Sequence, residues 1–285
     1  MMEPIVLDAE IQPKQVSLNF SSSPTVLYSD GTNVCGLFID GSTRTVKRIG
    51  CLNIGNVQTI GIIGDKPAVV TPTHILIFSK KLRLARKLRL KRTPKLVVFY
   101  RDGFIALFPD KACFKYVTKN EKVVCIDGQV PEIKTFAKYE TKKGIIGIDE
   151  NKRLVNIDFQ YRVISRLNKT GELVAINGRN IAIYNEGIIE VGMLPGTYTK
   201  EATYGFIRPL FAMPVYFKPK MLFLMHYPIV VTSNSVVILG EEQKFTTDEP
   251  IISGYKGGKN LIVGTKKHLY LFFGLRGKMS LAIRH

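Results

Sequence analysis

The sequence predicts an all-β fold, and two observations carry this prediction. A short phrase recurs along the chain: a pair of apolar residues, usually β-branched, then a short polar turn, then an alternating apolar run. β-Branched and aromatic residues suit a pleated, half-buried surface, and Asn, Gly, Asp and Ser supply the turn. In addition, the sequence lacks segments with a helical apolar stripe and a capping residue. Each copy of the phrase is therefore expected to form two short strands joined by a tight turn.

The copies of the phrase follow one another along most of the chain. The clear ones begin at Val69, Val97, Ile145, Val174, Val230 and Ile262. Weaker copies fall in the two longest gaps, at Val123–Ile126 and Tyr204–Ile207, and another precedes the series at Val34–Ile39. Because one hairpin alone is not stable in water, repeated hairpins are expected to stack and share a core.

Three architectures could bury these hairpins. A β-propeller of four-stranded blades uses about 40–50 residues per blade, which corresponds to about six to seven blades here. Two β-sandwich or barrel domains would also match the number of strands. A β-solenoid needs shorter and stricter repeats, so the irregular gaps disfavour it. The sequence thus favours a single propeller domain over residues 1–285, with two sandwich or barrel domains as the alternative.

The hairpin phrase resembles the second and third strands of a blade in WD40-like or quinoprotein-like propellers, for example at Ile181–Tyr184. The resemblance covers most of the chain. The Gly-His and Trp-Asp signatures of WD40 repeats are missing, and the chain contains no Trp. The resemblance therefore implies the propeller superfamily and no family within it.

The two chain ends are expected to close the ring. The first predicted strand, Ile5–Leu7, would pair with the last blade around Leu281–Ile283. This pairing would remove the exposed edges of the first and last sheets.

The charge of the chain predicts an anionic partner. The formal net charge is +18, from 41 Lys and Arg against 23 Asp and Glu. Such an excess attracts nucleic acid, an anionic membrane surface or an acidic protein, and association with nucleic acid or a ribonucleoprotein is one expectation. The longest apolar run, Met221–Met225, is far shorter than the ~20 residues of a membrane helix, and no signal-like segment opens the chain. A soluble cytoplasmic protein that does not engage a membrane is expected. The many Ile, Val, Lys and Arg residues suggest a thermophilic source.

The four cysteines do not predict a metal site. Cys35, Cys51, Cys113 and Cys125 lack the close pairs that zinc sites use. They could be small apolar side chains within strands. They could also form disulfides between Cys35 and Cys51 or between Cys113 and Cys125, as some intracellular proteins of hyperthermophiles do. The sequence leaves these alternatives open.

A basic row between Lys80 and Arg92 is the sharpest local feature. In an extended chain, even one broken in two by a turn at Ala85–Lys87, alternate positions would place leucines 82, 84, 88 and 90 on one side and cations on the other. The candidate nucleic-acid-binding residues are Lys81, Arg83, Lys87, Arg89, Lys91 and Arg92. One interpretation is a ladder of phosphate contacts. The alternative is an outer blade strand whose solvated edge is protected from aggregation by its charges.

A second feature is an aromatic and proline-rich segment at about 196–228, which is predicted to be an insertion in the propeller. Aromatic rings next to cations suit single-stranded nucleic acid, because bases stack on rings while cations meet phosphate. The candidate base-stacking or partner-binding residues are Tyr198, Tyr204, Phe206, Arg208, Tyr216 and Lys218. The alternative is a segment packed on the propeller or an apolar patch for a protein partner.

The sequence predicts no catalytic residue and no cofactor. Its four histidines belong to no nucleophile or metal motif, and its Gly-rich segments do not have the spacing of a phosphate-binding loop. The leading hypothesis is a non-enzymatic module that binds nucleic acid or a ribonucleoprotein. The alternatives are a scaffold subunit with an acidic partner in a larger complex, and an enzyme with its site in the propeller channel.

Overall fold

The computed structural model describes residues 3–117, 120–194, 207–241 and 243–275. Its regular structure consists of 28 strands arranged in seven four-stranded antiparallel sheets. Each sheet is one blade of a single β-propeller, which confirms the predicted fold class and sets the number of blades at seven. In the described part of the chain, no helix has the length and apolar character needed to cross a membrane.

The strands follow the chain from the inside to the outside of each blade, after a first strand, β1 (Ile5–Asp8), that belongs to the last blade. Blade 1 contains β2 (Gln15–Leu18), β3 (Thr25–Ser29), β4 (Asn33–Asp40) and β5 (Thr45–Asn53). Blade 2 contains β6 (Thr59–Ile63), β7 (Lys66–Val70), β8 (His74–Phe78) and β9 (Leu84–Arg89). Blade 3 contains β10 (Leu96–Tyr100), β11 (Gly103–Phe108), β12 (Lys111–Tyr116) and β13 (Val123–Asp127).

The remaining blades continue the same order. Blade 4 contains β14 (Ile133–Lys138), β15 (Gly144–Asp149), β16 (Arg153–Asp158) and β17 (Val163–Thr170). Blade 5 contains β18 (Leu173–Asn177), β19 (Asn180–Asn185), β20 (Ile188–Met193) and β21 (Arg208–Pro214). Blade 6 contains β22 (Met221–Leu224), β23 (Pro228–Val231), β24 (Ser235–Ile238) and β25 (Gln243–Thr246). Blade 7 contains β26 (Ile251–Gly257), β27 (Asn260–Thr265) and β28 (His268–Phe272), with β1 as its outer strand.

Strand β1 closes the ring, as the sequence predicts, but its partner is a different segment. It pairs with β28, with Ile5 opposite Leu271 and Leu7 opposite Leu269. The predicted partner, Leu281–Ile283, lies outside the described residues. The apolar run that follows Ile262 provides the described strand next to β1.

The middle strands of each blade are buried on both sides because neighbouring blades stack face to face. All six residues of β15 are buried, as are all four of β23. This explains why the repeated phrase reads as a continuous apolar pair and not as a simple alternation. Between blades 7 and 1, for example, Tyr28, Ile262 and Leu271 are members of one buried cluster.

The antiparallel order of each blade separates the connecting loops into two faces. Loops that join the first to the second strand, and the third to the fourth strand, lie at the same end of the sheet; we call this end face I. The other loops, including those that lead to the next blade, lie at the opposite end, which we call face II. In the following sections, each loop residue is assigned to face I or face II according to the strands that its loop connects.

Both possible disulfides are present. Cys35–Cys51 joins β4 to β5, and Cys113–Cys125 joins β12 to β13. In each pair the two residues lie directly opposite each other in the ladder, with their Cα atoms 4.1 Å apart. Directly opposed residues in an antiparallel pair bring their side chains close enough for this bond. The chain therefore has no free cysteine.

The described part of the aromatic segment is built into blades. Residues 208–214 form β21, the outer strand of blade 5, and residues 221–224 form β22, the inner strand of blade 6. The segment from 207 to 228 is thus part of two regular sheets and the loop between them. Residues 195–206 lie outside the described residues.

Candidate anion-binding face

The predicted basic row follows the outer rim of blade 2. Its centre is β9, the outermost strand, and both Lys87 and Arg89 are exposed there. Lys81 and Arg83 lie in the preceding loop on face I, whereas Lys91 and Arg92 lie in the following loop on face II. The row therefore spans the height of the rim from one face to the other.

The predicted alternation of the leucines in this row is interrupted by a β-bulge at Ala85. Leu84 is 56% exposed, whereas Leu82 is 5% exposed and lies in the loop before the strand with a φ of 58°. Leu88 and Leu90 are partly buried against the core of blades 2 and 3. The prediction that all four leucines share one side is thus wrong, because an extra residue in one strand reverses the sides of the residues beyond it.

Two arginines of this region are neutralised by carboxylates of blade 3. Arg86 forms an ion pair with Glu121, and Arg92 forms one with Asp110 at 2.8 Å. The hydrogen bond from Arg92 lowers the pKa of Asp110 below its usual value. Lys80, at the start of the row, pairs with Asp65 at 3.0 Å. The remaining five cations of the row form no ion pair with any described residue: Lys81, Arg83, Lys87, Arg89 and Lys91.

The loops of face I carry a strong excess of positive charge. Among the described residues, eleven cations lie in these loops: Arg44, Lys80, Lys81, Arg83, Arg101, Lys122, Lys142, Lys143, Arg162, Arg179 and Lys259. They stand against five acids: Asp65, Asp102, Glu121, Glu140 and Glu241. The described loops of face I therefore carry more cations than acids.

The loops of face II have no such excess. Their described residues include nine cations: Lys14, Lys91, Arg92, Lys95, Lys152, Lys218, Lys220, Lys266 and Lys267. They also include nine acids: Glu10, Asp30, Asp110, Glu132, Glu150, Glu172, Glu186, Asp248 and Glu249. The two faces thus differ in charge although they carry similar numbers of cations.

A channel of about 500 Å³ runs between the inner strands and is lined by residues from all seven blades. Near its face I end, the Lys138 ammonium donates a hydrogen bond to the carbonyl of Phe99 at 3.0 Å. The same nitrogen lies 5.3 to 5.9 Å from the centroids of three rings, those of Tyr100, Phe20 and Tyr255. A lysine and three aromatic rings from three other blades therefore converge at this mouth of the channel.

The channel mouth also contains a shielded ion pair. Lys256 Nζ lies 3.3 Å from Glu140 Oε1, and the Lys256 side chain is 6% exposed. The other oxygen of Glu140 accepts a hydrogen bond from the backbone N–H of Gly178. Among the described residues that line the channel, Glu140 is the one carboxylate.

A second cavity, of about 620 Å³, opens on face I between blades 3 and 4; we call it the cleft. At its base, Lys143 donates hydrogen bonds to Asp102 at 2.8 Å and to the Tyr116 hydroxyl at 3.0 Å. Its nitrogen also lies 4.7 Å from the Phe114 ring centroid and 4.1 Å from that of Tyr116. Burial alone would lower the pKa of Lys143, but the hydrogen bonds to Asp102 and Tyr116 outweigh burial and raise it.

The neighbouring lysine of the cleft is tied to a buried carboxylate. Lys142 Nζ lies 2.6 Å from Asp158 Oδ2, and the two side chains are 10% and 0% exposed. The other oxygen of Asp158 accepts hydrogen bonds from the backbone N–H groups of Gln160 and Tyr161. The Lys142 ammonium also lies 4.5 Å from the centroid of the Tyr139 ring. These contacts fix both the lysine and the loop that leads from β16 to β17.

The cleft was not among the sites predicted from the sequence. Its lining comes from β10, β12 and β13 and from the loops that follow β10, β14 and β16, so its residues are far apart along the chain. The one local signal is the adjacent pair Lys142-Lys143, which lies between two predicted strands and close to Tyr139. A pair of basic residues in a turn is common and does not by itself predict a site. The cleft forms only when the other loops of blades 3 and 4 lie next to this turn.

Two of the described candidates from the aromatic segment lie away from face I, and the third, Arg208, lies at the face I end of β21. Tyr216, which is 93% exposed, and Lys218 lie in a loop of face II, and Arg208 opens β21 at the rim of blade 5. The candidates Tyr198, Tyr204 and Phe206 lie outside the described residues. The rim around β21 is apolar, with Leu210 47% exposed and Phe211 38% exposed.

Comparison with solved structures shows the same fold over nearly the whole chain. The crystal structure of BBS1N in complex with ARL6DN, soaked with mercury, matches with 11% identity and a TM-score of 0.64, covering 96% of this chain and 98% of that chain. The Cps50 (Swd1) β-propeller domain of Myceliophteria thermophila matches with 12% identity and a TM-score of 0.67, covering 95% and 98%. No protein-family model matches the sequence, and no curated protein matches it. At these identities the likeness concerns the fold alone: this chain is a seven-bladed β-propeller.

Proposed function

We propose that this propeller is a non-enzymatic interaction module that binds single-stranded nucleic acid across face I. The observation that carries the proposal is the unequal charge of the two faces, with eleven loop cations against five acids on face I and nine against nine on face II. A surface of one sign attracts a polyanion and orients it before contact. If the high content of Lys and Arg served no function, we would expect the two faces to carry a similar net charge.

Aromatic side chains on the same face favour a single strand over a duplex. Phe20 lies in a face I loop and is 56% exposed, and the Lys138 ammonium lies 5.6 Å from its ring centroid. Exposed rings beside cations allow bases to stack while phosphates meet positive charge. In a duplex the bases are paired and stacked inside the helix, so a duplex could contact the cations of face I but could not stack a base on an exposed ring. The ring of Phe20 is therefore assigned a stacking role.

The basic row of blade 2 extends this surface down the rim. Lys81 and Arg83 belong to face I, and Lys87 and Arg89 continue from them along β9. A strand that passes over face I could follow these cations beyond the edge of the face. In the same proposal Lys91 and Arg92 end the path on face II, with Arg92 already held by Asp110.

The channel supports a binding role better than a catalytic one. An acid–base or hydrolytic site in the channel would need converging carboxylates or an activated nucleophile. Among the described residues of its lining, the one carboxylate, Glu140, is engaged by Lys256 and by the Gly178 N–H. The carboxylate at the mouth of the channel is therefore already engaged by other groups of the protein.

The proposal is tested by two matched sets of four substitutions to Gln. The face I set is Lys81, Arg83, Lys122 and Lys259, and the face II set is Lys95, Lys218, Lys266 and Lys267, all exposed. Both sets remove four positive charges, so the net charge of the two variants is equal. Affinity for a fluorescent oligouridylate is measured by anisotropy at several salt concentrations, and folding is checked by urea unfolding.

We expect the face I variant to bind more weakly and with a shallower salt dependence, by up to about three units of slope at about 0.7 per lost contact. The face II variant should keep nearly the parent's slope, because its cations lie away from the strand. Equal losses in the two variants would show that only net charge matters. Absence of binding by the parent protein would reject the proposed function itself.

A second candidate function, docking of a protein partner, rests on the apolar rim of blade 5. Leu210 and Phe211 on β21 and Ile188 on β20 are all exposed. An exposed apolar strand at a sheet edge is unusual in a monomer and is typical of interaction sites. A photo-crosslinking residue at position 211 should form a covalent product with a protein partner. The same residue at position 84, which is exposed on the rim of blade 2, is the control and should not crosslink to that partner. Reconstitution with the purified partner, and its loss in F211S, would then establish the contact.

A further inference from the structure

The cleft between blades 3 and 4 contains two cations with no partner in the described structure. Arg101 lies in the loop from β10 to β11, and Arg162 lies in the loop from β16 to β17. Both are exposed, and neither forms an ion pair with a described residue. They come from different blades and border the same cavity of about 620 Å³.

The two lysines of the cleft already form hydrogen bonds and ion pairs with other residues of the protein. They are therefore part of the walls of the site and are not available to bind a ligand. Lys143 is held by Asp102 and the Tyr116 hydroxyl, and Lys142 is held by the buried Asp158. Each lysine is paired with a carboxylate, so the two pairs add little net charge to the cleft. They hold its walls in a fixed position, and this part of the site loses no further side-chain entropy when an anion arrives. Direct contact with an anion is left to Arg101 and Arg162.

The chemistry of these two side chains points to a phosphate group. A guanidinium is planar, stays charged at every relevant pH, and donates paired N–H groups that match phosphate oxygens. The cleft also has aromatic walls, which include Tyr116 and Phe159. Cations on the rim and rings along the wall would suit a phosphate joined to a planar base better than inorganic phosphate alone.

We propose that the cleft binds one nucleotide unit of the strand, with its phosphate between Arg101 and Arg162 and its base along the aromatic wall. This inference rests on the proposed function of face I and adds a discrete site to it. Elsewhere on the face, exposed cations would hold the backbone loosely. In the cleft, a single unit is held in a defined position and sets where the strand lies.

The test compares two double variants that remove the same charge from the same face. R101Q/R162Q removes the two arginines of the cleft. R44Q/R179Q removes two exposed face I arginines on blades 1 and 5, neither of which lines the cleft. Neither variant touches the pair formed by Lys142 and Asp158, so both are expected to fold like the parent, which urea unfolding checks. The probes are a fluorescent oligouridylate, adenosine monophosphate and inorganic phosphate.

We expect R101Q/R162Q to weaken strand binding by about tenfold or more, since a hydrogen bond to a charged group contributes about 1.5–3 kcal/mol. R44Q/R179Q should weaken it by about twofold, because exposed charges act through screened solvent. Adenosine monophosphate should bind the parent and R44Q/R179Q in calorimetry and should not bind R101Q/R162Q. Inorganic phosphate should bind the parent more weakly than the nucleotide does.

Several results would overturn the inference, and they differ from those that reject the proposed function. Equal loss of strand binding in the two double variants would make the cleft an ordinary part of face I. Nucleotide binding that survives R101Q/R162Q would place the phosphate elsewhere. If the parent binds adenosine monophosphate but no strand, the cleft remains a nucleotide site and the role of face I in strand binding is rejected.

Discussion

At the scale of single residues, the same kind of ion pair has different consequences in different surroundings. Lys142 and Asp158 lie 2.6 Å apart with almost no solvent exposure, whereas Lys80 and Asp65 lie 3.0 Å apart with side chains that are 67% and 50% exposed. Water screens the exposed pair and replaces either partner when one is removed. Within the buried pair, each charge depends on the other, because desolvation of an unpaired ion is costly.

The first prediction follows from this contrast. K142M should lower the free energy of unfolding by about 3–5 kcal/mol, because it leaves the Asp158 carboxylate buried without its cation. K80M, the matched control, should lower it by no more than about 1 kcal/mol. Urea unfolding at neutral pH measures both. Addition of D158N to K142M should recover part of the loss, since an amide oxygen can still accept the two backbone hydrogen bonds. Similar values for K142M and K80M would contradict the structural role of the buried pair.

At the scale of elements, the outer strands show how much the sequence could predict. Strand β9 was predictable because leucines and cations alternate around it, and that alternation is typical of a half-solvated edge. The exposure of Leu84 could not be predicted. It results from a β-bulge at Ala85, and the residue types around Ala85 do not indicate where the pairing with β8 shifts. The cleft was beyond sequence reasoning for a related reason. Arg101 and Arg162 border one cavity only because two blades stack.

The second prediction concerns the basic row on β9. Replacement of Arg83, Lys87, Arg89 and Lys91 by Gln should leave folding unchanged, because surface substitutions usually alter stability by less than about 0.5 kcal/mol. Strand binding should weaken by a similar factor for every sequence, since phosphate contacts carry no sequence information. The salt slope should become shallower by about two to four units at about 0.7–0.9 per contact. An unchanged affinity and slope would identify the row as a solvated edge that prevents sheet-to-sheet association.

At the scale of the whole molecule, seven blades are held in a ring by a strand from the opposite end of the described chain. Strand β1 is the outer strand of blade 7, and the rest of that blade comes from β26, β27 and β28. The ring closure was predictable because Ile5–Leu7 has the residues of a strand but no hairpin partner nearby. Its register was harder to predict, because both β28 and the segment around Leu281–Ile283 are apolar and could suit the same edge.

The third prediction tests this closure. Ile5 and Leu7 pack against the cluster shared by blades 7 and 1, whereas Val6 points outward and is 52% exposed. I5A/L7A should therefore lower the free energy of unfolding by about 2 kcal/mol or more, as removal of buried methyl groups does. V6A should change it by less than about 0.5 kcal/mol. Because β1 joins the last blade to the first, loosening it should also expose the edge of β28 and reduce the cooperativity of urea unfolding. If I5A/L7A unfolds with the parent's midpoint and slope, the ring does not depend on β1, and the blades are held together by their inner strands and the cores between them.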